Sequence, residues 1–247
     1  MCFDHDSLPP VPPVEGGAVA HEDLVLSTAV GNRFAAFAAH PEEPGPKGVV
    51  VLPDVRGLYR FYEELVLRFA ERGFPAVAID YFGRTAGVEK RSEDFDYPAH
   101  VAQTTPEGIK ADVRAAVEYL RSSAQSIFTV GFCFGGRYSW LSAADGHGLA
   151  GAVGFYGQPK ERESPGPTQR AGEMECPILA LQAGDDQNIT AEDNAAFERA
   201  LAAAGVEHEL VTYEGAPHSF FDRKQEQFAD ASADAWERVL RFIDETS

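Results

Sequence analysis

Basic residues are scarce in this sequence: 21 Lys plus Arg stand against 39 Asp plus Glu, a formal charge of −18 over 247 residues. That balance offers no attraction to a nucleic-acid backbone or an anionic membrane, so neither is an expected partner. Cysteine is rarer still. Cys2, Cys133 and Cys176 leave one thiol over under any pairing, and nothing resembles a disulfide framework. A Cys2/His5 pair is too isolated for zinc, which takes about three or four ligands, so no metal is assigned. No apolar run approaches the ~18–20 residues of a membrane-spanning helix. The opening MCFDHDSLPPVPPVEGG carries acids where an export signal carries bases. A soluble cytoplasmic protein is expected, which makes the sequon Asn188-Ile189-Thr190 a coincidence.

What the chain does have is apolar residues, 44% of the total, enough to bury a large core. Residues 1–17 read as an extended Pro-rich arm and 18–247 as a single domain. Apolar residues alternate in Leu24-Val25-Leu26 and in Phe34–Phe37 with Gly31-Asn32 between, the pattern of an antiparallel hairpin. From Gly48 onward the runs are short and unbroken: GVVVLP (48–53), PAVAID (75–80), IFTVGF (127–132), GAVGFYG (151–157), PILALQ (177–182) and HELVTYE (208–214). Runs of this kind suit strands buried on both faces, as in a parallel sheet.

Helical stretches alternate with these strands. Leu58, Tyr62, Leu65 and Phe69 share a stripe in 58–72. Thr105-Pro106 opens a helix whose buried face is Ile109, Val113, Ala116, Val117 and Leu120. Further helices fit 137–144, 191–204 and 225–245. The expectation is an α/β fold, a three-layer α/β/α sandwich with a mostly parallel sheet and an N-terminal antiparallel hairpin.

Ligands of such sheets bind beyond the carboxyl ends of the strands. Those ends carry Asp54, Asp80, Cys133, Asp186 and His218. Gly131-Phe132-Cys133-Phe134-Gly135-Gly136 has the G-x-nucleophile-x-G spacing of a strand-to-helix elbow, where glycines avoid clashes around a strained central residue. The elbow presents Sγ at a helix N-terminus, which favours a thiolate, and aims the Phe134 N–H at a developing oxyanion. Asp185 or Asp186 follows one late strand and His218 another. Nucleophile, acid, histidine is the chain order of α/β-hydrolases. Taken singly, each has a bland explanation: a small buried cysteine, an ordinary Gly-Asp-Asp turn, a solvated loop histidine. Three in the right order favour a triad of Cys133, Asp186 and His218, with Asp185 as the rival acid.

With its elbow GFCFGG, the segment VVVLPDVRGLYRFYEELVLRFAERGFPAVAIDYFGR and GAPHSFF, the chain resembles the dienelactone hydrolase (carboxymethylenebutenolidase) family of α/β-hydrolases. The likeness runs over about residues 20–245. It implies a Cys–His–Asp triad at Cys133, His218 and Asp186, and no cofactor. It implies a second oxyanion donor in the Val55 N–H. It also implies a carboxylate beside the resting thiol at Asp54, where the best-known members carry glutamate. An adjacent anion raises a thiol above its ordinary ~8.5 and keeps it protonated until substrate arrives. Arg84 matches one family arginine that would take a substrate carboxylate. The second family arginine lies four residues past the histidine; here Asp222 holds that place and Arg223 follows. Tyr81, Trp140, Tyr156 and Phe221 are aromatic candidates for the pocket wall.

The expected activity is cysteine-dependent hydrolysis of a lactone or ester, an anionic one included, through a thioacyl-enzyme. A promiscuous short-acyl esterase or thioesterase on the same triad is the nearest alternative. A non-hydrolytic redox or ligand-binding protein using Cys133 is the more distant one. The stretch 158–170 is a candidate lid.

Overall fold

Two alternating segments pair into the expected hairpin, β1 (Val19–Ser27) against β2 (Arg33–Pro41), in the register Leu26↔Phe34. The computed structural model describes residues 4, 6–14 and 19–246. Cys2, His5, the arm at 1–3 and 15–17, and the ends of the expected domain at 18 and 247 lie outside the described residues. Six further strands follow: β3 (Lys47–Leu52), β4 (Ala76–Ile79), β5 (Ser126–Phe132), β6 (Gly151–Phe155), β7 (Ile178–Asp185) and β8 (His208–Pro217). They form one sheet in the order β1-β2-β4-β3-β5-β6-β7-β8, antiparallel across β1, β2 and β4 and parallel from β4 to β8.

The period-two alternation of the strands sorts side chains to two faces. Val49 and Val51 of β3 join one core with Phe128, Val130 and Phe132 of β5; Val50 and Leu52 join the other. The first core is covered by α1 (Arg60–Ala70) and α7 (Ala229–Glu245), through Phe61, Tyr62, Leu65 and Phe69 and through Trp236, Val239 and Ile243. The opposite face is covered by α4 (Pro106–Leu120), α5 (Phe134–Ser142) and α6 (Ala191–Ala204). An 11-residue helix such as α1 is marginal alone. Complete burial of Phe61, Leu65 and Phe69, each worth about 1.5–3 kcal/mol, holds it in place. The three-layer α/β/α sandwich is therefore as expected.

Local signals place several helix ends. Thr105 Oγ1 accepts the Gly108 N–H at 3.1 Å, a cap worth about 1 kcal/mol, and Gly205 ends α6 in the left-handed region at φ 71°. Two helix starts differ from expectation, and two short helices were not expected. Helix α5 begins at Phe134 rather than near Arg137, because the elbow turns directly into it: the Arg137 N–H already donates to the Cys133 carbonyl at 3.1 Å. Helix α7 begins at Ala229, after a single 3-10 turn over Glu226–Phe228. Two short helices, α2 (Gly83–Ala86) and α3 (Tyr97–Val101), have too few residues to show a period. No helix among the described residues is long and apolar enough to cross a membrane.

Candidate active site

Cys133 leaves β5 at φ 54° and ψ −110°, a conformation that costs a non-glycine residue of order 1–3 kcal/mol. Its neighbours show why glycine is needed. A Cβ on Gly131 would lie 2.0 Å from the Gly135 carbonyl oxygen, and one on Gly135 would lie 2.0 Å from the Leu52 carbonyl oxygen. The elbow is thus pressed against the end of β3, which carries Pro53, Asp54 and Val55. The Cys133 N–H donates to the Phe155 carbonyl at 2.9 Å, continuing the β5–β6 ladder and tying the bend to the sheet. Cys133 is half-buried and packs on the cluster that holds Phe132, Tyr156 and Phe221. Neither the Val55 nor the Phe134 amide donates a hydrogen bond among the described residues.

The acid and the histidine meet through strand register. Asp185 pairs with Pro217 across β7 and β8, so the next residues, Asp186 and His218, emerge side by side. Asp186 Oδ2 lies 2.5 Å from His218 Nδ1, while Asp186 Oδ1 accepts the Asn188 and Ile189 amides at 2.8 and 3.2 Å. Burial pushes the Asp186 carboxyl up, but the hydrogen bonds from His218 and Asn188 outweigh it and hold the group below its ordinary 3.8. Asp185, the rival, is exposed and accepts from the Gln187 side chain instead. The His218 ring packs on Tyr156, with centroids 4.9 Å apart, so histidine and elbow stand over the same aromatic floor.

Asp54 is fully buried, and its carboxylate is engaged. It accepts from the Arg56 main-chain N–H at 2.8 Å, from the Arg56 guanidinium at 3.1 Å and from the Tyr59 hydroxyl at 3.1 Å. Its own N–H donates to the Tyr62 hydroxyl at 2.9 Å. Although burial opposes the charge on Arg56, the Asp54 carboxylate holds its guanidinium above the ordinary range. Arg56 and Tyr59 were not anticipated. The available signal was the D-x-R-G run, in which an aspartate accepts the amide two residues on to make a turn.

The other expected site residues have partners of their own. Arg84, on α2, binds Asp112 of α4 at 2.6 and 3.0 Å and the Gly108 carbonyl at 3.1 Å, so its charge is already met. Trp140 is wholly buried on the α6 face, its ring beneath Gly154 and its Nε1 donating to the Leu179 carbonyl at 3.2 Å, where it supports the sheet. Arg223 lines a cleft beside the N-terminal arm, together with Leu8, Pro12 and Arg68. Tyr81 is buried and donates to the Pro53 carbonyl at 2.8 Å, steadying the Asp54 loop. Phe221 packs within the floor, its ring tilted against Phe155 at 4.8 Å. Segment 158–170 is pinned, since buried Arg137 donates to the Gln158 and Lys160 carbonyls at 3.0 and 2.6 Å. Among the described residues no group of three or more His, Cys, Asp or Glu is placed to hold a metal.

A parallel sheet from β4 to β8, helices on both faces and a glycine-bounded elbow at β5 define an α/β-hydrolase fold. The model of the dienelactone hydrolase family matches residues 34–247, and the chain belongs to that family. An Escherichia coli (strain K12) protein named "Putative carboxymethylenebutenolidase" is 30% identical over 228 residues, covering 86% of this chain and 83% of its own. The crystal structure of a "Putative Dienelactone Hydrolase" from Klebsiella pneumoniae is 26% identical with a TM-score of 0.80, covering 92% of this chain and 99% of that one. A dienelactone hydrolase-like promiscuous phosphotriesterase from metagenomic libraries shares the fold at 23% identity and a TM-score of 0.78, covering 93% and 99%. The protein is a dienelactone-hydrolase-like hydrolase of the lactone or ester type, acting on a small molecule.

Proposed function

We propose that Cys133, His218 and Asp186 act as nucleophile, general base and orienting acid in hydrolysis through a thioacyl-enzyme. The observation that carries this reading is the 2.5 Å contact of Asp186 Oδ2 with His218 Nδ1, on the same floor as a cysteine held at φ 54°. Asp186 keeps the proton on Nδ1, leaving Nε2 to take the thiol proton. The thiolate attacks the ester carbonyl carbon, and the oxyanion is held by the Val55 and Phe134 N–H groups. As the tetrahedral species collapses, the imidazolium returns its proton to the departing alkoxide, which stays tethered when the substrate is a lactone. Water, deprotonated by His218, then attacks the thioester and releases the acid and the thiol.

The gate role expected of Asp54 takes a modified form in this proposal. Its charge is paired with Arg56, so what it would offer the thiol is an ion pair, not a lone anion. A substrate carboxylate would first have to draw Arg56 away before Asp54 could act on the thiol.

A short-acyl, uncharged ester fits better than an anionic lactone, because Arg84 is committed to Asp112 and Arg223 faces the arm cleft. One assay tests both points. Purified protein is given p-nitrophenyl acetate and a carboxylate-bearing aryl ester of equal size. The neutral ester should turn over at least about tenfold faster. Cys133→Ala and His218→Ala should each lower kcat/KM by about 10³ or more, and Asp186→Asn by about 10²–10⁴. Undiminished turnover in folded Cys133→Ala would sink the triad, and preference for the anionic ester would sink the substrate assignment.

A further inference from the structure

The loop that carries His218 is not self-supporting. Ser219, the next residue, sits at φ 70°, in the left-handed region that a non-glycine residue holds only when its surroundings impose it. Beyond it the chain turns repeatedly: the Phe220 N–H donates to the Pro217 carbonyl at 3.1 Å and the Asp222 N–H to the Phe220 carbonyl at 2.8 Å. The core holds one side of this loop, where Phe220 and Phe221 are wholly buried and the Ser232 hydroxyl donates to the Phe220 carbonyl at 3.1 Å; the rest of its support comes from the other end of the sequence.

Three successive residues grip the N-terminal arm. Asp222 Oδ2 accepts the Ser7 hydroxyl at 2.6 Å, the Arg223 N–H donates to the Leu8 carbonyl at 3.2 Å, and the Lys224 ammonium pairs with Asp4 and Asp6. Ser7 is completely buried and Asp222 is 5% exposed. Ser7 Oγ also accepts the Asp4 N–H at 3.1 Å, so its hydroxyl hydrogen is aimed at Asp222. Asp222 spends its other oxygen on the Lys224 N–H at 3.0 Å. Val11 anchors the arm by entering the core that holds Phe220 and Phe221. Further along, the Val14 N–H donates to Glu71 just past α1, at 3.0 Å.

We infer that arm residues 7–11 form a strap that positions His218, with Ser7 and Asp222 as its positioning residues. The inference rests on the proposed role of His218 as base and adds to it. The strap fixes Asp222 four residues from the imidazole, across a strained link that transmits displacement. Loosening it lets the ring swing about Ser219 while the substrate pocket stays intact, so turnover suffers more than binding.

The test uses the full chain with Ser7→Ala, Asp222→Ala, Asp222→Asn and the Ser7→Ala/Asp222→Ala double variant. Three quantities are read: kcat and KM on p-nitrophenyl acetate, amide exchange over residues 219–224, and the pH profile of Cys133 alkylation followed by mass spectrometry. Cys176 is silent in the last, because burial pushes its thiol up to about 12. Each alanine variant should lose 5–20-fold in kcat with KM within twofold, and the double variant should be no worse than either single one. Asp222→Asn, which keeps an acceptor for Ser7, should return to within threefold of wild type. Exchange over 219–224 should quicken more than tenfold, and the alkylation profile should move toward that of His218→Ala.

Unchanged kcat and an unchanged alkylation profile in folded Ser7→Ala would overturn the strap. Faster exchange with an unmoved alkylation profile would overturn it too, reducing the contact to packing. Were the wild type to cleave no ester at all, the hydrolase proposal would fail by itself. Exchange and alkylation would still decide the strap. Should Ser7→Ala not fold, Lys224→Ala cuts the exposed end of the strap alone, with a two- to threefold loss expected and no change refuting it.

Discussion

The buried carboxylates of this protein differ in what answers their charge. Asp186 is met by an imidazole and two amides, Asp54 by Arg56 and Tyr59, and Asp112 by Arg84 and Asn32. Burial raises the Asp112 carboxyl above its ordinary 3.8 in spite of Arg84, which shows how much it relies on that partner. Removing one member of a buried pair costs ~3–5 kcal/mol; with Arg84 one-third open to water, about 2 kcal/mol is expected for Arg84→Ala. Chemical denaturation should show that loss, while turnover of neutral and anionic esters should fall by the same factor. Selective loss of the anionic substrate would restore Arg84 as a substrate-binding residue.

Among the elements, the β5–α5 junction is the least tolerant. Gly135→Ala would put a methyl 2.0 Å from the Leu52 carbonyl oxygen and 2.4 Å from that of Pro53, with backbone on both sides and nothing able to yield. We expect a loss of about 3 kcal/mol and at least a hundredfold in kcat, since the elbow must shift to relieve the contact. Gly205→Ala, at the left-handed end of α6 in open space, should cost only about 1 kcal/mol and leave kcat unchanged. Thermal melts and turnover of the two variants separate crowding from backbone preference. Equal effects in both would remove the special status of the elbow. This junction was legible in the sequence because its glycines stand at fixed offsets from the nucleophile, although the Leu52 carbonyl that Gly135 avoids lies on another strand. The start of α5 was less legible, because the helix begins without a side-chain cap and the turn itself supplies its first residue.

Across the whole molecule, one buried base adds to the response to acid. His147 is 5% exposed, and burial lowers it from 6.5 to about 4, against Asp145, which favours its charge, and with Arg114 and Lys110, which oppose it. A base depressed in the fold binds its proton more readily when unfolded. Its contribution to stability is therefore complete above pH 6.5 and is lost as pH falls through about 4, amounting to ~3 kcal/mol. The stability difference between wild type and His147→Leu, measured by urea titration from pH 7 to 4, should narrow by about that amount. A constant difference would absolve His147.

The amino-acid sequence alone determined the strands, the helix faces and the elbow, because those follow from patterns that repeat within a dozen residues. It also determined the chain order of cysteine, acid and histidine. Only the tertiary structure set Asp186, and not Asp185, against His218, through the pairing of Asp185 with Pro217 across β7 and β8. It likewise turned Arg84 to Asp112, Trp140 to the sheet and Asp222 to Ser7, 215 residues away. Partners of that kind are set by which loops the sheet order brings to one rim. A charged side chain carries no local mark of the group that will answer it across such a distance.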